Sequence, residues 1–287
     1  MQLEDLQAFL NVVRTGSITK AAEQMFITQP TLTYRIQSLE KALGYQLFER
    51  NRGQRQISPT PEGREFYVIA EKINQLWIDG TAISSPVPSF RVAATYALNY
   101  YVMPSVCAAF WSRNLPISLE MRAMHYNECY AGIENHTLDA AITTRTISSS
   151  IIHTPIWEDK MVLVCSNDAS FEGEIHPAEL KPENGIYIYW SPESSKWHDY
   201  WFGPTNYRIK SDNIRLVEKL LCANPEYWSI APLPIVKIIE KYSPLKHVDI
   251  LGDAPGWPIY LLSQQPESEN CQFLIEDFRN YIKQYSK

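Results

Sequence analysis

Apolar residues recur at three- and four-residue intervals through the first eighty positions, and the breaks in that rhythm mark helix ends. Leu6, Phe9, Leu10 and Val13 share one face of a segment starting near Leu3, with Glu4 and Asp5 in the first turn where a helix dipole favours negative charge. Arg14-Thr15-Gly16 closes it, and Ser17 can cap a short second helix whose Ala21, Ala22 and Met25 let a neighbour approach closely. Phe26-Ile27 makes a turn. Thr28 can cap a third helix that places Pro30 in its first turn, where a missing N–H costs little. Along it Leu32, Ile36, Leu39 and Leu43 form a stripe, so Thr31, Tyr34, Arg35 and Ser38 are expected to face away, flanked by Thr33 and Gln37; Gly44 ends the helix. Leu47 to Ser58 then reads as strand, basic turn and strand, a wing tipped by Arg50, Arg52 and Arg55.

A helix face of Gln, Thr, Tyr and Arg offers donors and acceptors to base edges in a major groove, and arginines at a hairpin tip suit phosphates or a minor groove. A solvated face has a similar composition; the agreement of patterning, caps and basic tip favours double-stranded DNA as the partner. The candidate contacts are Ser17, Thr28, Gln29, Pro30, Thr31, Thr33, Tyr34, Arg35 and Ser38 on the helices, with Arg50, Arg52 and Arg55 on the wing. Residues 1–60 are thus expected to form a winged helix-turn-helix.

From residue 61 to 83 a further helix carries Phe66, Ile69, Ile73, Leu76 and Gly80 at three- and four-residue spacing. Such a seam either packs on the chain's own second domain or pairs with a second copy, and these five residues are the candidate dimerisation contacts. Prolines and serines at 84–89 read as a hinge. Beyond it, Phe90-Arg91-Val92-Ala93-Ala94, Ile117 to Met121 and Leu138 to Ile142 alternate with helical stretches, which predicts an α/β domain on a parallel sheet. Met161 to Cys165 leads into a second lobe with Ile186 to Trp190, and Pro258 to Leu262 returns the chain. The division expected is 90–164 with 258–287 as lobe 1 and 165–257 as lobe 2.

Composition adds one asymmetry. The 287 residues carry a net charge of −6, yet residues 1–60 hold seven basic and five acidic side chains, +2, leaving −8 for the remainder. Attraction for phosphate is confined to one end. Neither a membrane-length apolar run nor a leader segment is evident, so a cytoplasmic location is expected. Cys107, Cys129, Cys165, Cys222 and Cys271 are odd in number and dispersed, without a CxxC pair, so neither a disulfide framework, a metal site nor a cofactor is expected.

The N-terminal pattern of Phe9, Gly16-Ser17, Ala21-Ala22, Gln29-Pro30, Ile36, Leu39-Glu40, Gly44, Leu47-Phe48, Arg50, Thr60 and Gly63 resembles the signature of the LysR-type transcriptional regulators. Met25 and Thr33 replace the usual Leu and Ser, and Ser58-Pro59 interrupts the end of the wing. The resemblance implies a helix-paired dimer, a tetramer built from two kinds of contact, an interrupted inverted repeat as target, possible contact with RNA polymerase and a two-lobed, periplasmic-binding-protein-like effector domain.

Ligands in open α/β sheets lie beyond strand C-termini. That rule selects Thr95, Tyr96, Met124, His125, Thr143, Thr144 and Arg145 in lobe 1 and Trp190 and Ser191 in lobe 2 as effector contacts, suited to a small carboxylate with an apolar body. GxxxxGK[ST], GxSxG, HExxH and GxGxxG do not occur, so an enzyme is not expected. The alternatives are a thiol-based redox-sensing regulator using Cys165 and Cys222, or an enzyme or solute-binding module fused to the DNA-binding domain.

Overall fold

The computed structural model describes residues 2–49, 57–82, 87–147, 150–264 and 268–286. It divides into two compact units, one from residues 1–88 with 134–137 and the other from residues 89–133 and 138–287.

The first unit contains α1 (Leu3–Thr15), α2 (Ile18–Gln24), α3 (Gln29–Leu43) and α4 (Pro61–Ala82). Leu6, Phe9, Leu10, Leu32, Ile36 and Leu39 are buried together as the periodicity predicts, while Val12 is more deeply buried than Val13. Phe9 is the hub, its ring 5.4 Å from both Phe48 and Phe66. Gly16 and Gly44 close α1 and α3 in the left-handed region that most side chains avoid. Gly63 serves a different need: a Cβ there would lie 2.1 Å from the Leu47 carbonyl oxygen. Phe48 bridges Pro59, and the Glu49 N–H donates to Ser58 O at 2.9 Å, so the base of the wing is formed. Its arginines, Arg50, Arg52 and Arg55, lie outside the described residues.

In the second unit β1 (Ser89–Ala94), α5 (Tyr96–Tyr101), α6 (Met103–Ser112), β2 (Ser118–Ala123), α7 (Tyr126–Glu134) and β3 (Ala140–Thr143) build the first lobe. The strand β4 (Ile152–Ser166) passes into the second, which holds β5 (Glu174–Ile175), β6 (Ile186–Tyr187), α8 (Pro192–Phe202), β7 (Ile209–Lys210), α9 (Ile214–Ala223), β8 (Trp228–Pro232), α10 (Leu233–Ile239) and β9 (Leu245–Ile250). β10 (Gly256–Ser263) and α11 (Glu269–Ile282) complete the first lobe.

The main sheet runs β2-β1-β3-β10-β4-β9-β5, with β8 also on β4. It is mixed, not parallel throughout: β1 pairs parallel with β2 and β3, but β10 pairs antiparallel with β3 and β4. A strand bringing the chain back from the second lobe must enter from the opposite end. β4 changes partners at the lobe boundary, pairing with β10 up to Lys160 and with β8 from Met161. One apolar cluster continues through both lobes, joining Leu98, Met103 and Phe278 to Val217, Leu233 and Ile235. Among the described residues no helix is long and apolar enough to cross a membrane.

Candidate nucleic-acid interface and ligand cleft

The start of α3 is fixed by side chains that double as surface groups. Thr28 caps it, accepting from the Thr31 N–H at 3.4 Å, and Ser17 caps α2 through the Lys20 N–H. Gln29 Nε2 donates to Thr19 Oγ1 at 2.7 Å, tying the two helix starts together. Thr28, Gln29, Pro30, Thr31 and Tyr34 stand exposed, Tyr34 to 71%. Arg35 and Ser38 do not face fully away. Arg35 reaches the Glu4 carbonyl and Ser38 the Asp5 carboxylate, each at 3.5 Å, because α1 packs along that flank of α3. Ser17 and Thr33 are likewise half-buried. The turn adds a residue that periodicity missed: Phe26 is 96% exposed and held at a φ of 54°.

The expected seam on α4 is split. Phe66 is buried in the unit's own core, with Ala70 beside it and Ile73 packed on it, because Phe9 on α1 needs that cover. Phe66 is therefore not available to a second copy. Ile69 and Leu76 remain 52% and 60% exposed and are joined by Val68, Trp77 and Ile78; Gly80 is also open.

Between the lobes lies a cleft of about 320 Å³. Of the residues expected there, Thr95, Tyr96, His125, Thr144, Arg145 and Trp190 line it. Three do not. Thr143 is buried beneath, accepting from the Arg145 N–H at 3.3 Å; Ser191 is buried as the cap of α8, bonded to Ser194; Met124 packs on the apolar cluster under α7. Strand ends point the chain at the cleft, but strand pleat and helix capping turn these side chains away from it. Ala97, Leu98, Tyr126, Ile188 and Tyr189 line it as well, and so do Asp212, Ile214 and Trp257. Tyr126 and Tyr189 adjoin residues chosen from sequence, whereas Asp212 and Trp257 come from segments without any such marker.

Arg145 organises the cleft. Its Nη1 donates to the Tyr126 hydroxyl at 2.6 Å and to the Tyr189 hydroxyl at 3.4 Å, and its guanidinium carbon lies 4.4 Å from the Tyr126 ring centroid. Tyr126 belongs to one lobe and Tyr189 to the other. Beside them Thr144 donates to Trp190 O at 3.1 Å, a second link across the lobes. Trp190 is pinned by its own N–H on Ile230 O at 2.7 Å and meets Trp257 edge-on. Burial raises the Tyr189 hydroxyl above its ordinary range, so the phenol stays a neutral partner for the cation.

Compared with known proteins, residues 3–64 match the bacterial regulatory helix-turn-helix protein, lysR family, and residues 84–285 match the LysR substrate binding domain. The chain belongs to the LysR family. It is 27% identical over 192 residues to the HTH-type transcriptional regulator BenM of Acinetobacter baylyi, an alignment covering 66% of this chain and 60% of BenM. The match therefore spans less than two thirds of that relative. Among solved structures it is similar to a variant of full-length OxyR from Pseudomonas aeruginosa, with a TM-score of 0.70, 16% identity and 100% and 98% of the two chains covered. It is also similar to full-length CbnR complexed with its target DNA, at 0.68, 20% identity and 99% and 100% coverage. At these identities the two structures establish the fold alone. This LysR-family chain has both parts of the fold, a helix-turn-helix unit and a two-lobed domain.

Proposed function

We propose that this LysR-family protein is a DNA-binding transcription regulator whose output is set by a small molecule held between the lobes of its C-terminal domain. The observation that supports it most directly is the aromatic cleft with Arg145 in its lining, in a chain whose first unit displays the capped start of α3. In this reading α3 enters a major groove and the wing arginines meet phosphates. The exposed strip of α4 pairs two copies over an interrupted inverted repeat, and contacts between effector domains extend the assembly to a tetramer. Effector binding alters the links between the lobes, changes the spacing of the DNA-binding pairs and so changes DNA bending or access of RNA polymerase. An anionic group, a carboxylate by preference, docks on Arg145.

The protein acts without metal, cofactor or catalysis in this scheme, in the cytoplasm where the DNA is. A thiol switch finds little support: burial raises all five thiols, with Cys129 pushed up to about 12 and Cys165 to about 11, which leaves scarcely any thiolate to react.

Selection of bound genomic fragments by the full chain, followed by footprinting, tests the DNA half; failure to protect paired half-sites overturns it. Ala97→Trp fills the cleft and tests the other half. Its reporter output is expected to stay fixed across growth conditions that shift the wild type, and an unchanged response removes the cleft from the scheme.

A further inference from the structure

Two unneutralised charges of opposite sign line the cleft, one from each lobe. Arg145 is bonded to two phenols, and among the described residues it has no carboxylate partner. Asp212, just ahead of α9, has no cationic partner among them. Arg215, the second residue of α9, is by contrast held by Glu218 at 2.6 and 2.8 Å. The rest of the lining is largely apolar, with Tyr96, Tyr126, Tyr189, Trp190 and Trp257 contributing rings and Leu98, Ile188 and Ile214 aliphatic surface.

Resting on the reading of this cleft as the effector site, we infer that its ligand is a small aromatic zwitterion, with an anionic group on Arg145, a planar body between the rings and an ammonium group toward Asp212. The fixed charges favour this class because each ligand charge gains a charge-assisted hydrogen bond, which a molecule with one charge makes only once. Because Arg145 and Asp212 sit on different lobes, a ligand that satisfies both also ties the lobes together. Arg145 must then exchange its bonds to Tyr126 and Tyr189 for the stronger anion.

The test uses the full chain and three matched probes: phenylalanine with both charges, 3-phenylpropanoate with the carboxylate alone and 2-phenylethylamine with the ammonium alone. Calorimetric titration is expected to rank phenylalanine at least about tenfold above either partner, the size of one charge-assisted hydrogen bond. Asp212→Asn should bring phenylalanine down to the level of 3-phenylpropanoate while leaving that acid unchanged, and Arg145→Gln should bring it down to the level of the amine. Unliganded melting curves verify folding, and Asp212→Asn, at an exposed position, carries the test if Arg145→Gln misfolds. Equal binding of phenylalanine and 3-phenylpropanoate overturns the zwitterion while leaving an anion site in the cleft. Binding of none of the three at millimolar concentration also overturns it, and the Ala97→Trp reporter result then says independently whether the cleft is the effector site at all.

Discussion

The Tyr101 hydroxyl donates to Glu218 Oε2 at 2.6 Å, joining α5 of the first lobe to α9 of the second. Glu218 is 2% exposed, and Arg215 and Ser243 complete its shell. The guanidinium of Arg215 in turn lies 5.2 Å from the Tyr100 ring of the first lobe. Both helices begin at the cleft, where Tyr96 and Ile214 are lining residues. This strut and the links of Thr144 and Arg145 to Trp190 and Tyr189 brace the cleft at separate places, so a ligand works against defined bonds.

Tyr101→Phe deletes the inter-lobe bond and keeps the ring in the shared core. A charge-assisted hydrogen bond of this kind contributes about 1.5–3 kcal/mol. Urea unfolding of the variant should show a loss in that range, and hydrogen exchange should quicken in α5 and α9. Unaltered exchange there would mean that the strut bears no load.

The same carboxylate makes the domain acid-sensitive. Burial alone would raise its pKa, but the hydrogen bonds from Ser243, Tyr101 and Arg215 outweigh burial and hold Glu218 below the ordinary value of 4.5. A depressed folded-state pKa gives stability that is fully present above 4.5 and lost as pH falls through the lower folded value. Glu218→Gln should therefore be less stable than the wild type at neutral pH, with the difference shrinking below pH 4.5. Parallel stability curves across that window would contradict the assignment.

On α4, the two faces give opposite mutational signatures. Phe66→Ala empties a site beside Phe9, and such truncations cost about 3–5 kcal/mol, so the helix-turn-helix unit should melt early. Leu76→Asp touches exposed surface and should leave melting nearly unchanged while reducing self-association in sedimentation. If Leu76→Asp sediments like the wild type, the exposed strip is not what pairs the copies.

Thiol chemistry is checked separately by Cys165→Ser and Cys222→Ser. With both thiols raised by burial, neither substitution should alter reporter output with or without peroxide. A peroxide response that vanishes with either change would restore the redox alternative.

How far the sequence speaks depends on whether a residue's role is local. Helix ends were legible because Ser17, Thr28, Gly16 and Gly44 act on their own neighbours. The core stripe Leu32, Ile36 and Leu39 was legible because helical geometry alone aligns it. Phe66 was misread since its partner Phe9 lies on another helix, and periodicity reports that a face is apolar, not what covers it. Thr143 and Ser191 were misplaced for a related reason: a strand end locates the backbone, while pleat and capping decide the side chain. Asp212 and Trp257 enter the cleft through the packing of α9 and β10, which no short-range pattern encodes.

The recognition surface offers the sharpest separation of neighbours. Tyr34, largely exposed on α3, is free to meet DNA, whereas Ser38 is half-buried and spends its hydroxyl on Asp5. Tyr34→Ala should weaken cognate binding by about 1–3 kcal/mol if it contributes to base readout, with little change on random duplex. Ser38→Ala should leave affinity nearly unaltered and cost only a little stability. Arg35 lies between these cases, its guanidinium resting on the Glu4 carbonyl at 3.5 Å, a weak contact that a phosphate or base can replace. Arg35→Ala is thus expected to weaken binding, and changes at Arg50, Arg52 or Arg55 to weaken cognate and random DNA together with a shallower salt dependence. Fluorescence anisotropy at several salt concentrations distinguishes the two behaviours. Equal affinity of Tyr34→Ala and the wild type for the cognate site would move base readout away from this face of α3.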